Sequence, residues 1–148
     1  MHRIKDLTIN NNVVSIIRNP LDCVPSWTAF NPEKRDGMEE RNLEWYIAYC
    51  KTYKENLGKI LVLSFEQLIS NPIKCLDKIS NQYGYEPPLF STKEDLDKQF
   101  DNDSNFIGRT PDDIRETFAS IKEITMSSPS FNQANELFME INEQVKIQ

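Results

Sequence analysis

The chain has four glycines and a single histidine among its 148 residues. None of the glycines (Gly37, Gly58, Gly84 and Gly108) stands in a Gly-rich run of the kind whose backbone amides cradle a phosphate. Gly58-Lys59-Ile60 leads into strand-like sequence rather than out of it, the reverse of a phosphate loop's context. Cys23, Cys50 and Cys75 are odd in number and widely spaced, with no Cys-x-x-Cys pair. That pattern argues for reduced thiols in a cytoplasmic compartment rather than a disulfide framework. One histidine and no clustered cysteines leave no ligand set for structural zinc, and no metal is expected. No apolar run approaches the roughly 18 residues of a membrane span, and Met1 to Asn12 has no apolar signal-peptide core. Basic residues are outnumbered 17 to 23, and the net charge of −6 weighs against a general nucleic-acid binder.

What is present fits one soluble domain spanning 1–148, with 39% apolar and 27% charged residues and enough length to bury a real core. Val13 to Ile17 reads as a continuous, mostly apolar strand of the kind buried on both faces of a parallel sheet. Arg18 follows it directly, and Asn19-Pro20 then opens a helix: asparagine is a good N-cap, proline suits the first helical position, and Asp22 complements the positive helix end. Open α/β sheets bind ligands at the C-terminal ends of their strands. Arg18 and Ser26, eight residues apart, could converge there on one anion, the guanidinium giving charge and a planar fork, the hydroxyl one further donor.

Glu39 to Leu57 reads as an amphipathic helix with Leu43, Tyr46, Ile47, Cys50, Tyr53 and Leu57 on one side, stopped by Gly58. Ile60 to Phe65 is the second buried strand, parallel to the first across the helical crossover. Asn71-Pro72 caps a helix that ends at Tyr83-Gly84, and Glu86-Pro87-Pro88 breaks the chain. Ser91 to Glu94 reads as a capping box, Thr110-Pro111 as a helix start, and Ser130 with Gln133 as the capping box of a last helix. Asp101 to Gly108 is polar and turn-like.

The stretch from Val13 to Trp27 resembles the 3′-phosphate-binding segment of the sulfotransferases that use 3′-phosphoadenosine-5′-phosphosulfate (PAPS). There a hydrophobic strand runs into Arg-Asn/Asp-Pro, with a serine eight residues after the arginine. Arg18, Asn19, Pro20 and Ser26 match that pattern. A second block is similar too. It has an aromatic-rich helix (Trp45, Tyr46, Tyr49, Tyr53), a strand ending in Ser64-Phe65-Glu66-Gln67-Leu68, an Asn71-Pro72 break and a helix closing at Gly84.

The resemblance implies an α/β fold, a reduced P-loop-containing nucleotide-hydrolase-like sulfotransferase domain with a small parallel sheet surrounded by five or six helices. It implies PAPS as sulfuryl donor and an unidentified hydroxyl or amine acceptor, with Arg18 and Ser26 on the 3′-phosphate. Phe65 stands where the family usually carries a tyrosine near the nucleotide. Gly108-Arg109 resembles a cut-down form of the loop that closes over the 3′-phosphate, and His2 lies where many members place a catalytic histidine. The family's N-terminal phosphosulfate loop, Lys-x-Gly-Thr/Ser, has no counterpart in this sequence. The expectation is therefore sulfuryl transfer that depends on a complementary segment, with a companion chain or self-association completing an open strand edge. The alternative is a non-catalytic nucleotide-binding or protein-interaction module on the same fold. Trp27 reads as core or rim packing, or as a wall of the acceptor pocket.

Overall fold

Val14–Ile17 (β1) and Leu61–Ser64 (β2) pair as parallel strands, with Val14 opposite Leu61 and Ile17 opposite Ser64. The computed structural model describes residues 12–29, 37–86, 92, 94–95 and 112–146, with side chains of the last segment from Phe118 onward. Among the described residues the strands are joined and flanked by helices α1 (Pro20–Ala29), α2 (Met38–Asn56), α3 (Phe65–Ser70), α4 (Pro72–Tyr83), α5 (Asp112–Ser127) and α6 (Phe131–Val145). The chain is α/β, with a small parallel sheet and six described helices. No described helix is long and apolar enough to cross a membrane.

Local chemistry accounts for most helix ends. At α1 the Asn19 side chain accepts the Leu21 N–H at 2.9 Å, and its carbonyl takes the amides of Asp22 and Cys23. Pro20 fills the first helical position, where a missing N–H costs nothing. Gly58 follows α2 at φ +92° and Gly84 ends α4 at φ +70°, left-handed conformations that a Cβ disfavours.

Strand alternation divides the interior in two. Ile17, Ile60 and Val62 point to the main core, where they meet Val24 of α1, Leu43, Tyr46, Ile47 and Cys50 of α2, and Ala134, Phe138, Ile141 and Val145 of α6. On the other face Leu61 and Leu63 pack with Cys75, Leu68, Ile79 and Tyr83 from α3 and α4. The Tyr83 hydroxyl fastens the start of the ladder, donating to the Val13 carbonyl and accepting from the Leu61 amide.

Four expectations change. β1 is not buried on both faces: Val14 and Ile16 are 38% and 47% exposed, and among the described residues the cluster from α3 and α4 packs on Leu61 and Leu63 of β2. Phe65 does not extend β2 but opens α3, with Ser64 as the last strand residue. Asn71 stands before Pro72 at the start of α4, yet its side chain makes no capping bond. The Ser130–Gln133 box does not form either. Ser130 instead gives both its amide (3.2 Å) and its hydroxyl to the Glu40 carboxylate, 90 residues away at the start of α2, so the cap of α6 is tertiary. The earlier capping pair involves Thr92, whose hydroxyl accepts from the Asp95 amide and donates to its carboxylate; Ser91 lies outside the described residues.

Candidate functional site

Both strands end on the same side of the sheet, and that is where the polar groups gather. Ile17 and Ser64 are register partners, so the residues that follow them, Arg18 and Phe65, emerge side by side. The Arg18 guanidinium carbon lies 4.3 Å from the centre of the Phe65 ring, cation over aromatic face. The Arg18 backbone is held from another direction. Tyr46, reaching from α2 and nearly buried, donates its hydroxyl to the Arg18 carbonyl at 2.7 Å. Burial pushes the Tyr46 phenol well above its ordinary range, so it remains a donor across physiological pH.

Arg18 itself is half-buried, and its Nε is fully buried with no hydrogen-bond partner among the described residues. A guanidinium N–H so placed is a donor without an acceptor among the described residues. Cys23, one turn into α1, lies close enough to feel the guanidinium. Burial raises its thiol to about 12 and Arg18 opposes that rise. Ser26 is half-buried three residues on from Cys23, which puts it on the same side of α1. Across the mouth of the sheet the buried Ser64 hydroxyl donates to the exposed Glu66 carboxylate at 2.7 Å.

The periphery is aromatic and charged. Trp27 is exposed with its ring 6.5 Å from that of Tyr46, and Trp45 is exposed beneath Arg41, so both tryptophans are rim residues. Lys122 of α5 binds Asp22 of α1 at 3.0 Å and leans over Phe118, tying the C-terminal hairpin to the helix that follows Arg18. Two shallow grooves of about 360 and 240 Å³ lie elsewhere, along α4 (Lys74, Asp77, Lys78, Asn81, Gln82) and beside the Gly58 turn. Neither includes the strand ends where Arg18 sits.

Of the residues singled out from the sequence, the structure joins Arg18 to Phe65 and sets Ser26 on the adjoining helix. His2, Gly108 and Arg109 lie outside the described residues. Sequence reasoning missed the role of Tyr46, whose hydroxyl cannot be told from a packing ring by periodicity, and the Ser64–Glu66 pair. The Ser-x-Glu spacing at the end of a strand was the available signal.

A family model described as Sulfotransferase domain matches residues 3–106. The chain belongs to the sulfotransferase family. No curated protein and no solved structure matches it. The matched span of this sulfotransferase domain contains β1, β2 and α1 to α4, and with them Arg18, Ser26, Tyr46 and Phe65. Helices α5 and α6 lie beyond it, yet α6 closes the main core with Ala134, Phe138, Ile141 and Val145.

Proposed function

We propose that this sulfotransferase domain binds PAPS and its product, 3′-phosphoadenosine-5′-phosphate, at the C-terminal ends of β1 and β2, and that it serves sulfuryl transfer to a hydroxyl or amine acceptor. The observation that carries the reading is the Arg18 guanidinium, fixed over Phe65 with a buried Nε that has no partner among the described residues. A phosphate oxygen satisfies such a donor and neutralises the cation in one contact. Ser26 supplies a second donor from α1, and Arg109 beside Gly108 is the candidate for a further cationic contact. Sulfuryl transfer further requires an acceptor held in line, a base for its proton and cations on the leaving oxygen. His2 is the candidate base. The amide and lysine donors for the leaving group come from a complementary segment, on a companion chain or a longer form of this one. The thiols stay reduced in a cytoplasmic setting, and no metal takes part.

A second reading, a protein-interaction module on the same fold, is favoured by the exposed Val14 and Ile16 on β1. Calorimetry separates the two. The folded chain should bind 3′-phosphoadenosine-5′-phosphate more tightly than 5′-AMP, and Arg18→Ala should remove on the order of 2–4 kcal/mol of the former. Lysine should restore only part, since it lacks the fork. Equal affinity for both nucleotides, or none for either, removes the nucleotide reading and leaves the module.

A further inference from the structure

Phe65 occupies a position expected to contact the nucleotide, but its observed partner is Arg18, whose guanidinium carbon lies over the ring, 4.3 Å from its centre. We infer that Phe65 is a positioning residue: it acts through Arg18, fixing the plane of the guanidinium so that its N–H edge meets the 3′-phosphate, and so sets the preference for a 3′-phosphorylated nucleotide. The inference rests on the nucleotide reading above.

Three observations carry it. An arginine side chain has several rotatable bonds and loses about 2 kcal/mol of rotamer entropy when fixed, so a site that holds it beforehand binds its anion better. Here the carbonyl is held by Tyr46 at 2.7 Å and the guanidinium by Phe65, so both ends of the residue are restrained. The Arg18 side chain makes no ion pair with Asp or Glu among the described residues, and its Nε has no hydrogen-bond partner there. The ring therefore restrains the cation without competing for its donors. A carboxylate in that place would occupy the fork. A phenyl face leaves it free, and the missing hydroxyl costs this role nothing. Phe65 also starts α3 directly after the buried end of β2, so its backbone is anchored by the sheet.

The test is the ratio of affinities for 3′-phosphoadenosine-5′-phosphate and 5′-AMP, measured by calorimetry on the folded chain. Phe65→Leu should lower that ratio roughly 5- to 30-fold, the value of a partly desolvated cation–aromatic contact, while 5′-AMP affinity changes little. Phe65→Tyr, which keeps the aromatic face, should hold the ratio within about twofold. Phe65→Met offers the same loss with an unbranched side chain that adapts better to an irregular gap, should leucine unfold the chain. A role in packing alone would weaken both nucleotides together and leave the ratio unchanged. A wild-type ratio near one overturns the nucleotide reading and this inference with it. A high wild-type ratio that survives in Phe65→Leu or Phe65→Met overturns this inference alone.

Discussion

Replacing Tyr46 with phenylalanine removes one oxygen and leaves a ring of almost the same shape in the core, so the cavity penalty of a truncation is absent. What is lost is the 2.7 Å hydrogen bond from the Tyr46 hydroxyl to the Arg18 carbonyl. Arg18 follows the last residue of β1, so its carbonyl lies beyond the strand ladder. A typical hydrogen bond contributes about 0.5–1.5 kcal/mol net, and an acceptor left bare in the interior costs about 1–3 kcal/mol. The bond is partly buried, and water can reach the carbonyl to some degree, which places the expected loss at about 1–2 kcal/mol. For a chain of this size that corresponds to a midpoint lower by roughly 2–8 °C, or by about 0.5–1 M in urea with the slope unchanged. The second readout is functional. Freed from Tyr46, the residue carrying the guanidinium gains freedom that phosphate binding must remove again, so 3′-phosphoadenosine-5′-phosphate should bind roughly 3- to 10-fold more weakly. Urea unfolding followed by circular dichroism, with calorimetry on the same preparation, measures both. An unchanged urea midpoint would show that the hydrogen bond contributes nothing in solution, and the argument that Arg18 is anchored through its backbone would fail.

Two further outcomes test other parts of the structure. Ile141 of α6 is fully buried in the main core, so Ile141→Ala should cost about 2–5 kcal/mol. A loss below roughly 1 kcal/mol would show that the chain beyond the matched span is an appendage rather than part of the core. Alkaline pH should destabilise the fold. Burial raises Cys23 to about 12 and Cys50 to about 11 from an ordinary 9.0, and it raises Tyr46 and Tyr53 as well. Above about pH 9 the unfolded chain gives up these protons first, so the stability they confer is complete below that pH and is lost as pH climbs through the folded values. Urea midpoints taken at several pH values from neutral upward check this, and a midpoint that stays level past about pH 10.5 contradicts it.

The parts that were legible in the sequence are those fixed by neighbours in the chain. Asn19-Pro20 announced the start of α1, and the structure puts the Asn19 side chain on the Leu21 amide. Gly58 and Gly84 announced two helix stops, and both adopt the positive φ that makes glycine useful there. Both strands and their parallel pairing followed from apolar runs separated by a long amphipathic helix. The misread parts depend on residues far away in sequence. Ser130 and Gln133 form a sound local capping pattern, but Glu40 offers the Ser130 amide and hydroxyl a charged acceptor from 90 residues off, and the charged acceptor wins. Val14 and Ile16 look like interior residues because nothing in a strand's own sequence says how far the helices above it extend. The stacking of Phe65 on Arg18 is hidden for the same reason, since it exists only once Ile17 and Ser64 are in register.

The site therefore divides into a local part and a supported part, and the energetics depend on the second. The Arg18–Ser26 spacing defines which donors can face an anion, but any exposed arginine can swing toward one. What distinguishes this arginine is that three elements hold it: β1 through the chain, α2 through the Tyr46 hydroxyl, and α3 through the Phe65 ring. That arrangement keeps a guanidinium N–H buried without a hydrogen-bond partner among the described residues, and such a donor left bare costs on the order of 1–3 kcal/mol. An anion oxygen removes that cost only if its binding opens a path to the buried N–H. On the proposed function, the free energy that packing spends on holding Arg18 in that position would be returned at binding as affinity, and only to a ligand with an acceptor at that point. If the proposed nucleotide site is right, discrimination between a 3′-phosphate and a 3′-hydroxyl should originate in the folding of the free chain, and Tyr46→Phe and Phe65→Leu should each lower it with Arg18 still in place.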